Sequence, residues 1–193
     1  MPPKARITRD MILDAAFDLV RAEGHEALNV RTLAKRLGCS TQPILYNFAA
    51  VEELKDAVYQ RADEFHTAYI LPKGGEGADA LLELGLNYVR FGHEEKHLFR
   101  FLFESDRFGG MDFKGLLRWP GSDELVAILA EALGCPAAEA EKLFMTFFAV
   151  AHGLGSLLCN NAMEYDETEC AAMLETVFNG ALAALTSKGE EYA

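Results

Sequence analysis

The sequence predicts an all-α protein, with an N-terminal three-helix domain that contains a helix-turn-helix and a larger C-terminal helical domain. Three observations support this prediction. Apolar residues recur at helical spacing along nearly the whole chain, capping residues and glycines bound the periodic segments, and strand-like alternation between hairpin signals is absent. Half of the 193 residues are apolar and a quarter are charged, which supports a sizeable core and excludes a disordered chain.

The first two predicted helices have clear boundaries. Thr8 is placed to cap a helix that ends before Gly24, and Asn29 is placed to cap a short helix that Gly38 ends. Both segments carry apolar residues at the i, i+3, i+4 spacing of one helix face. The expected inner residues are Ile12, Ala15, Ala16, Leu19 and Val20 in the first helix and Val30, Leu33, Ala34 and Leu37 in the second.

A third helix follows, for which Ser40 is the expected cap. Pro43 then falls in the first turn, where its missing N–H costs little. A fourth helix is predicted from Val51 to Ile70, and Pro72 ends it. The expected inner residues are Ile44, Leu45 and Phe48 in the third helix and Leu54, Val58 and Phe65 in the fourth.

The same periodicity predicts five further helices in the rest of the chain. The longest predicted loop, residues 107–121, interrupts them. The helices are expected near residues 79–94, 97–105, 123–134, 137–162 and 167–187.

The charge of the chain is unevenly distributed. Eighteen basic and 30 acidic residues give a net charge of −12, yet residues 1–60 hold eight of each. The acidic total argues against a protein that coats nucleic acid non-specifically, but it permits a local basic surface. The four cysteines form no CxxC pair, and the polar N-terminus does not resemble a signal peptide, so a cytoplasmic location is expected.

Residues 143–163 contain no Asp, Glu, Lys or Arg, and a run of this length is enough to span a bilayer. His152 lies within the run, and no Lys/Arg cluster flanks it to fix an orientation. We therefore expect a helix buried within protein and no membrane partner. A membrane-associated or helical partner-binding module is the alternative.

Residues 29–48, NVRTLAKRLGCSTQPILYNF, have the plan of a helix-turn-helix, with two short helices joined at Gly38. A helix fits the major groove of DNA, and its N-terminal residues reach base edges there. Gln42 can pair with adenine, and Thr41 can contact a thymine methyl. An ordinary helical hairpin with solvated charges is the alternative that this pattern leaves open.

Basic residues flank this motif. Cations on an arm or at helix ends suit phosphates, which set the register of a protein on DNA without reading its sequence. Lys4, Arg6 and Arg9 precede the first helix, and Arg31, Lys35, Arg36 and Lys55 surround the motif.

Residues 7–60 resemble the N-terminal domain of the tetracycline-repressor (TetR) family of bacterial transcriptional regulators. The matching segments are ITRDMILDAAFDLVRAEG, ALNVRTLAKRLGCSTQPILYNF and EELKDAV. The resemblance implies a DNA-binding domain over residues 1–50, and a ligand-binding and dimerisation domain over residues 51–193. It also implies that Tyr46 and Asn47 face the phosphate backbone.

This chain departs from the family pattern at two positions. The family usually has Tyr where Leu45 stands and often has Lys where Val51 stands, and Lys55, one turn later, is the expected substitute. With these residues, the expected contacts to operator DNA are Lys4, Arg6, Arg31, Ser40, Thr41, Gln42, Pro43, Tyr46, Asn47 and Lys55.

The segments AVAHGLGSLL, NNAMEYDETE and MLETVFNGAL resemble the last two helices of the family. The resemblance implies that these helices pair with their twins in a homodimer. A dimer suits a palindromic operator, whose half-sites lie roughly 34 Å, or a multiple of that, apart. The expected interface residues are Gly153, Gly155, Leu158, Met173 and Val177.

Aromatic residues are dense in residues 88–148, and such a lining suits a flat, apolar small molecule. The resemblance implies an effector pocket, with repression as the default role, although plain core packing is the alternative for each residue. The candidate lining residues are Tyr88, Phe103, Trp119, Phe144, Phe147, Phe148 and His152.

An HExxH motif offers an alternative function. His93-Glu94-Glu95-Lys96-His97 matches the pattern of zinc hydrolases, in which two imidazoles lie one helical turn apart. No HxxGxxH continuation follows, and the stretch reads as a joint between two helices. We expect no enzyme activity, metal or cofactor, and keep a zinc-dependent hydrolase as the alternative.

Overall fold

The computed structural model describes residues 7–74, 77–104, 112, 115 and 122–190. Those residues are helical nearly throughout and include no strand, so the predicted all-α class is confirmed. The predicted loop at 107–121 lies almost wholly outside the described residues. The helices are α1 (Arg9–Glu23), α2 (Val30–Leu37), α3 (Gln42–Asn47), α4 (Val51–Ile70), α5 (Gly77–Glu94), α6 (Lys96–Phe103), α7 (Ser122–Leu133), α8 (Ala137–Asn160) and α9 (Glu167–Glu190).

The predicted caps of α1 and α2 are confirmed. The Thr8 side chain accepts a hydrogen bond from the backbone N–H of Met11 at 3.2 Å. The Asn29 side chain accepts one from the N–H of Thr32 at 2.9 Å. Gly38 ends α2 in the left-handed region, at φ 62°, which a residue with a Cβ adopts with strain.

Two expectations for α3 are wrong. Thr41, and not Ser40, occupies the N-cap position, because α3 begins at Gln42, one residue later than a cap at Ser40 requires. Leu45 is 53% exposed, whereas Ile44 and Phe48 are buried. A helix turns about 100° per residue, so positions 44 and 48 share the inner face and position 45 lies beside it.

The first packing unit contains α1, α2, α3, α4 as far as Ala68, and α6. Within it α1 packs against α2, α3 and α6. Arg21 of α1 forms an ion pair with Glu95, and its guanidinium lies 4.8 Å from the ring centroid of Phe65 on α4. The packing boundary therefore differs from residue 50. The division into functional domains at that residue stays a prediction.

The second packing unit contains the end of α4, α5, α7, α8 and α9. Its centre is the contact between α5 and α8. A Cβ on Gly92 would lie 2.8 Å from the Cα of Gly155, so the two backbones meet directly. Seven residues earlier on α5, Gly85 leaves the space that the ring of Phe147 fills.

Helix α8 is the one described helix that is long and apolar enough to cross a membrane, judged by length and composition only. Its most apolar 18-residue window has a mean hydropathy of 1.5, and 39% of that window is buried. The helix packs against α5, α7 and α9, as a core helix does. The expected absence of a membrane partner stays a prediction.

Candidate functional site

Helix α3 has one anchored face and one exposed face. Ile44 and Phe48 are each 1% exposed and fix the helix to the first packing unit. On the other face Tyr46 is 83% exposed, and Gln42 and Leu45 also lie on the surface. A large aromatic residue held this far into solvent is suited to an intermolecular contact.

The turn before α3 presents small polar residues. Ser40 is exposed, and the half-buried Thr41 makes no side-chain capping bond to α3. Its hydroxyl is therefore not committed to the helix end that it occupies. Pro43 lies at the second helical position, where the lack of an N–H costs no helical hydrogen bond.

Asn47 is engaged within α3. It is half-buried, and its Nδ2 donates to the carbonyl of Pro43 at 2.8 Å. Its own carbonyl accepts a hydrogen bond from Nη1 of Arg9 at 2.7 Å. The sequence placed Arg9 on a basic arm before α1. In the structure its side chain contacts the end of α3.

The predicted cations differ in their surroundings. Arg31 and Lys35 are exposed four residues apart on α2, and neither forms an ion pair within the described ranges. Lys55 is half-buried and lies 3.6 Å from Glu52. Lys4 and Arg6 lie outside the described residues.

A groove of about 620 Å³ lies between α1 and α4. Arg61 pairs with Asp14 across it, and Phe17 and Phe65 meet edge to face at 5.6 Å. Three carboxylates against one guanidinium repel phosphate, so we place this groove outside the candidate DNA surface. Its lining residues are Asp14, Phe17, Asp18, Arg61, Glu64 and Phe65.

Tyr88, Phe148 and His152 form an aromatic cluster between α5 and α8. The Tyr88 hydroxyl and Nδ1 of His152 are 2.9 Å apart, and the Phe148 ring lies 5.4 Å from Tyr88 and 5.9 Å from His152. Phe144 stacks on Phe148 at 6.4 Å. Four of the predicted lining residues are therefore adjacent.

The other predicted lining residues are not part of this cluster. Phe147 is 1% exposed and fills the space at Gly85, which is a packing role. Phe103 belongs to the first packing unit, where its ring lies 5.0 Å from His66. Trp119 lies outside the described residues.

The predicted interface residues divide into two groups. Gly155 and Leu158 are buried within the chain, and Gly155 is packed against α5. A Cβ added to Gly153 would have no other atom within 4 Å, and Met173 is 45% exposed. Val177 is half-buried.

The HExxH motif spans a helix boundary. Helix α5 ends at Glu94 and α6 begins at Lys96, so one continuous helix does not place the two imidazoles a turn apart. His93 stacks on Tyr165 at 4.9 Å, and Nδ1 of His97 would lie 3.2 Å from a Cβ on Gly24. In the described part of the chain, no group of three or more His, Cys, Asp or Glu is placed to hold a metal.

Comparison with known proteins finds two relatives in sequence and several in helical fold. Tetracycline repressor proteins of class D from Escherichia coli and class H from Photobacterium damsela subsp. piscicida are each 31% identical to the chain over 78 residues, which is 40% of the chain. The matched segment spans 36% of the length of either repressor. No family model matches the chain.

Solved structures match over nearly the full length. A TetR-family regulator from Streptomyces coelicolor is 19% identical, with a TM-score of 0.71 over 99% of this chain and 86% of its own. A TetR-like regulator from Rhodococcus sp. RHA1 is 17% identical, with a TM-score of 0.65 over 95% and 98%. In fold the chain is similar to these TetR-family regulators, and a segment of 78 residues is similar in sequence to the two tetracycline repressors.

The two short helices predicted for the helix-turn-helix at residues 29–48 correspond to α2 and α3. Sequence analysis missed the contacts of Arg9 with the end of α3. The partners of Arg9 lie 38 and 44 residues away in the chain, so no local pattern signals them.

Proposed function

We propose that this protein is a transcriptional repressor of the TetR family that binds a palindromic operator as a homodimer and is released by a small, largely apolar effector. The observation that carries the DNA-binding part is the exposed face of α3. Gln42 and Tyr46 lie on that face, while Ile44 anchors the opposite side. Exposed Arg31 and Lys35 on α2 supply cations suited to the flanking phosphates.

Exposed apolar residues on α8 and α9 support the homodimer. Leu157 is 50% exposed and Met173 is 45% exposed. From Leu143 to its end at Asn160, α8 contains no Asp, Glu, Lys or Arg. Burying such a face against a second copy removes apolar area from water. A two-fold dimer also presents two α3 helices to the two halves of a palindrome.

The cluster of Tyr88, Phe148 and His152 supports the effector part. Tyr88 is buried, and Phe148 and His152 are half-buried; aromatic rings beside one polar pair suit a flat, apolar molecule. A TetR variant from Acinetobacter baumannii AYE, 18% identical to this chain with a TM-score of 0.53, was solved in complex with minocycline. Because coupling is reciprocal, an effector that lowers DNA affinity is itself bound more weakly by the DNA complex.

The test of DNA recognition compares Gln42→Ala with Gln60→Ala, an exposed glutamine on α4. The probe is the duplex that the wild-type protein enriches most from a random-sequence library. We expect Gln42→Ala to weaken binding by about tenfold to a hundredfold, the usual worth of a bidentate base contact. Binding to an unrelated duplex stays unchanged, because Gln42 carries no charge.

Fluorescence anisotropy at fixed salt measures both affinities. Gln60→Ala should match the wild type on both duplexes. Equal affinities of Gln42→Ala and wild type for the enriched duplex would contradict the assignment of α3 as the recognition helix.

A further inference from the structure

Arg9 holds the C-terminal end of α3 from outside that helix. Its Nη1 donates to the carbonyl of Asn47 at 2.7 Å and to Oε1 of Glu53 at 3.1 Å. Its guanidinium carbon lies 4.0 Å from the ring centroid of Phe48. One side chain of α1 therefore contacts the last residue of α3, the residue that follows it and the first turn of α4.

Glu53 completes this arrangement. While Oε1 accepts from Arg9, Oε2 accepts from the backbone N–H of Ala49 at 2.8 Å. Ala49 lies in the short link between α3 and α4. The carboxylate thus fixes the backbone whose course sets the direction of α3 relative to α4.

Helix α3 depends on such external contacts because it has only six residues. An isolated helix of that length is unstable in water, and the carbonyls of its last turn lack partners within the helix. A basic side chain at the C-terminus satisfies one of those carbonyls. Arg9 does so for Asn47 and at the same time covers the buried ring of Phe48.

We propose that the Arg9–Glu53 pair is a positioning device that orients α3 for sequence recognition, and that Arg9 does not act as a phosphate contact. This inference rests on the proposed DNA-binding function. A planar guanidinium binds a carbonyl, a carboxylate and an aromatic face together, which an ammonium group does not reproduce. A phosphate contact, in contrast, depends mainly on positive charge.

The first test is Arg9→Lys, assayed on the duplex enriched by the wild type and on an unrelated duplex. A positioning role predicts that affinity for the enriched duplex falls about tenfold or more, the worth of lost charge-assisted hydrogen bonds. Affinity for the unrelated duplex and the salt dependence of binding stay near those of the wild type, because no phosphate contact is lost. Arg31→Gln is the control, and it should lower the salt slope by about one.

The second test is Glu53→Gln. Removing a negative charge beside bound DNA strengthens binding to any sequence by electrostatics alone. The positioning role predicts the opposite for the enriched duplex, about tenfold weaker binding, because Arg9 loses its carboxylate partner. Circular dichroism under the assay conditions confirms that each variant is folded.

Three outcomes decide between the roles. Wild-type affinity of Arg9→Lys, or tighter binding of the enriched duplex by Glu53→Gln, would overturn the positioning role. If a variant loses affinity for both duplexes equally, its defect is general and not specific to sequence recognition, which would also overturn the positioning role. If the wild type enriches no duplex, the proposed function itself fails, and that result appears before any variant is made.

Discussion

At the scale of single residues, His66 on α4 is a titratable group whose charge the fold opposes. Its side chain is buried, and its ring meets the ring of Phe103 at 5.0 Å. Burial lowers the pKa of His66 from 6.5 to about 4, because the imidazolium form loses its hydration. The folded protein therefore keeps His66 neutral at pH values where the unfolded chain protonates it.

This difference predicts a loss of stability in mild acid. Between pH 6.5 and about pH 4 the unfolded state binds one more proton at His66, so the free energy of unfolding falls as the pH falls. The contribution is about 2 kcal/mol between about pH 7 and about pH 5. We expect His66→Leu to lack this part of the pH dependence, measured by urea unfolding at both pH values.

Phe103→Leu is the matched control for His66→Leu. It alters the same packing but retains the histidine, so it lowers stability and keeps the pH dependence. An identical acid response in His66→Leu and wild type would show that other groups carry it.

Among the candidate site residues, sequence indicates best those whose exposure follows from local pattern. Gln42 and Tyr46 fall on the exposed face of α3 because helical period and the caps around Gly38 fix that face. The contacts of Arg9 were not predictable, since Asn47 and Glu53 are brought to it only by tertiary folding. An arginine on a free arm and an arginine that pairs with a distant Glu53 look the same in the sequence.

At the scale of elements, helix boundaries were predicted closely and helix partners were not. Thr8 and Asn29 cap their helices through bonds to residues three positions away, which is a local signal. Helix α6 packs against α1, and beside this contact Arg21 pairs with Glu95, a residue 74 positions away. Hydrophobic period tells which face of a helix is buried, but not which helix covers it.

The crossing of α5 and α8 yields a prediction at this scale. An added methyl group at Gly92 meets backbone atoms of Gly155 at 2.8 Å, and backbone does not move aside as a side chain does. We expect Gly92→Ala to lower the free energy of unfolding by about 1–3 kcal/mol, the usual cost of overpacking. Urea denaturation measures the change.

Gly74→Ala serves as the control for Gly92→Ala. A Cβ added to Gly74 would have no other atom within 4 Å. Gly74→Ala should therefore change the free energy of unfolding by no more than about 0.5 kcal/mol. Equal stability of Gly92→Ala and wild type would mean that the two helices separate without cost.

At the scale of the whole molecule, the open question is what covers α8 and α9. Helix α8 contains no Asp, Glu, Lys or Arg on the C-terminal side of Lys142, yet Leu157 is half exposed. Met173 of α9 is 45% exposed. Gly155 and Leu158, which sequence assigned to a dimer, are instead used within the chain. The surface left for a second copy is therefore the part of α8 and α9 that includes Gly153, Leu157 and Met173.

Charge placed on this surface should separate the proposed dimer. Leu157→Glu and Met173→Glu bury a carboxylate at the interface if two copies pair there, a cost of several kcal/mol per ion. Ile128→Glu is the control, because Ile128 is 59% exposed on α7 and equally apolar. We expect the first two variants to be monomeric by light scattering after size exclusion, and the third to remain dimeric.

The monomeric variants should also lose affinity for the enriched duplex while keeping wild-type helical content, since a monomer has one α3 and contacts only one half-site. A monomeric wild type, or a dimer that survives both substitutions, would contradict pairing through α8 and α9.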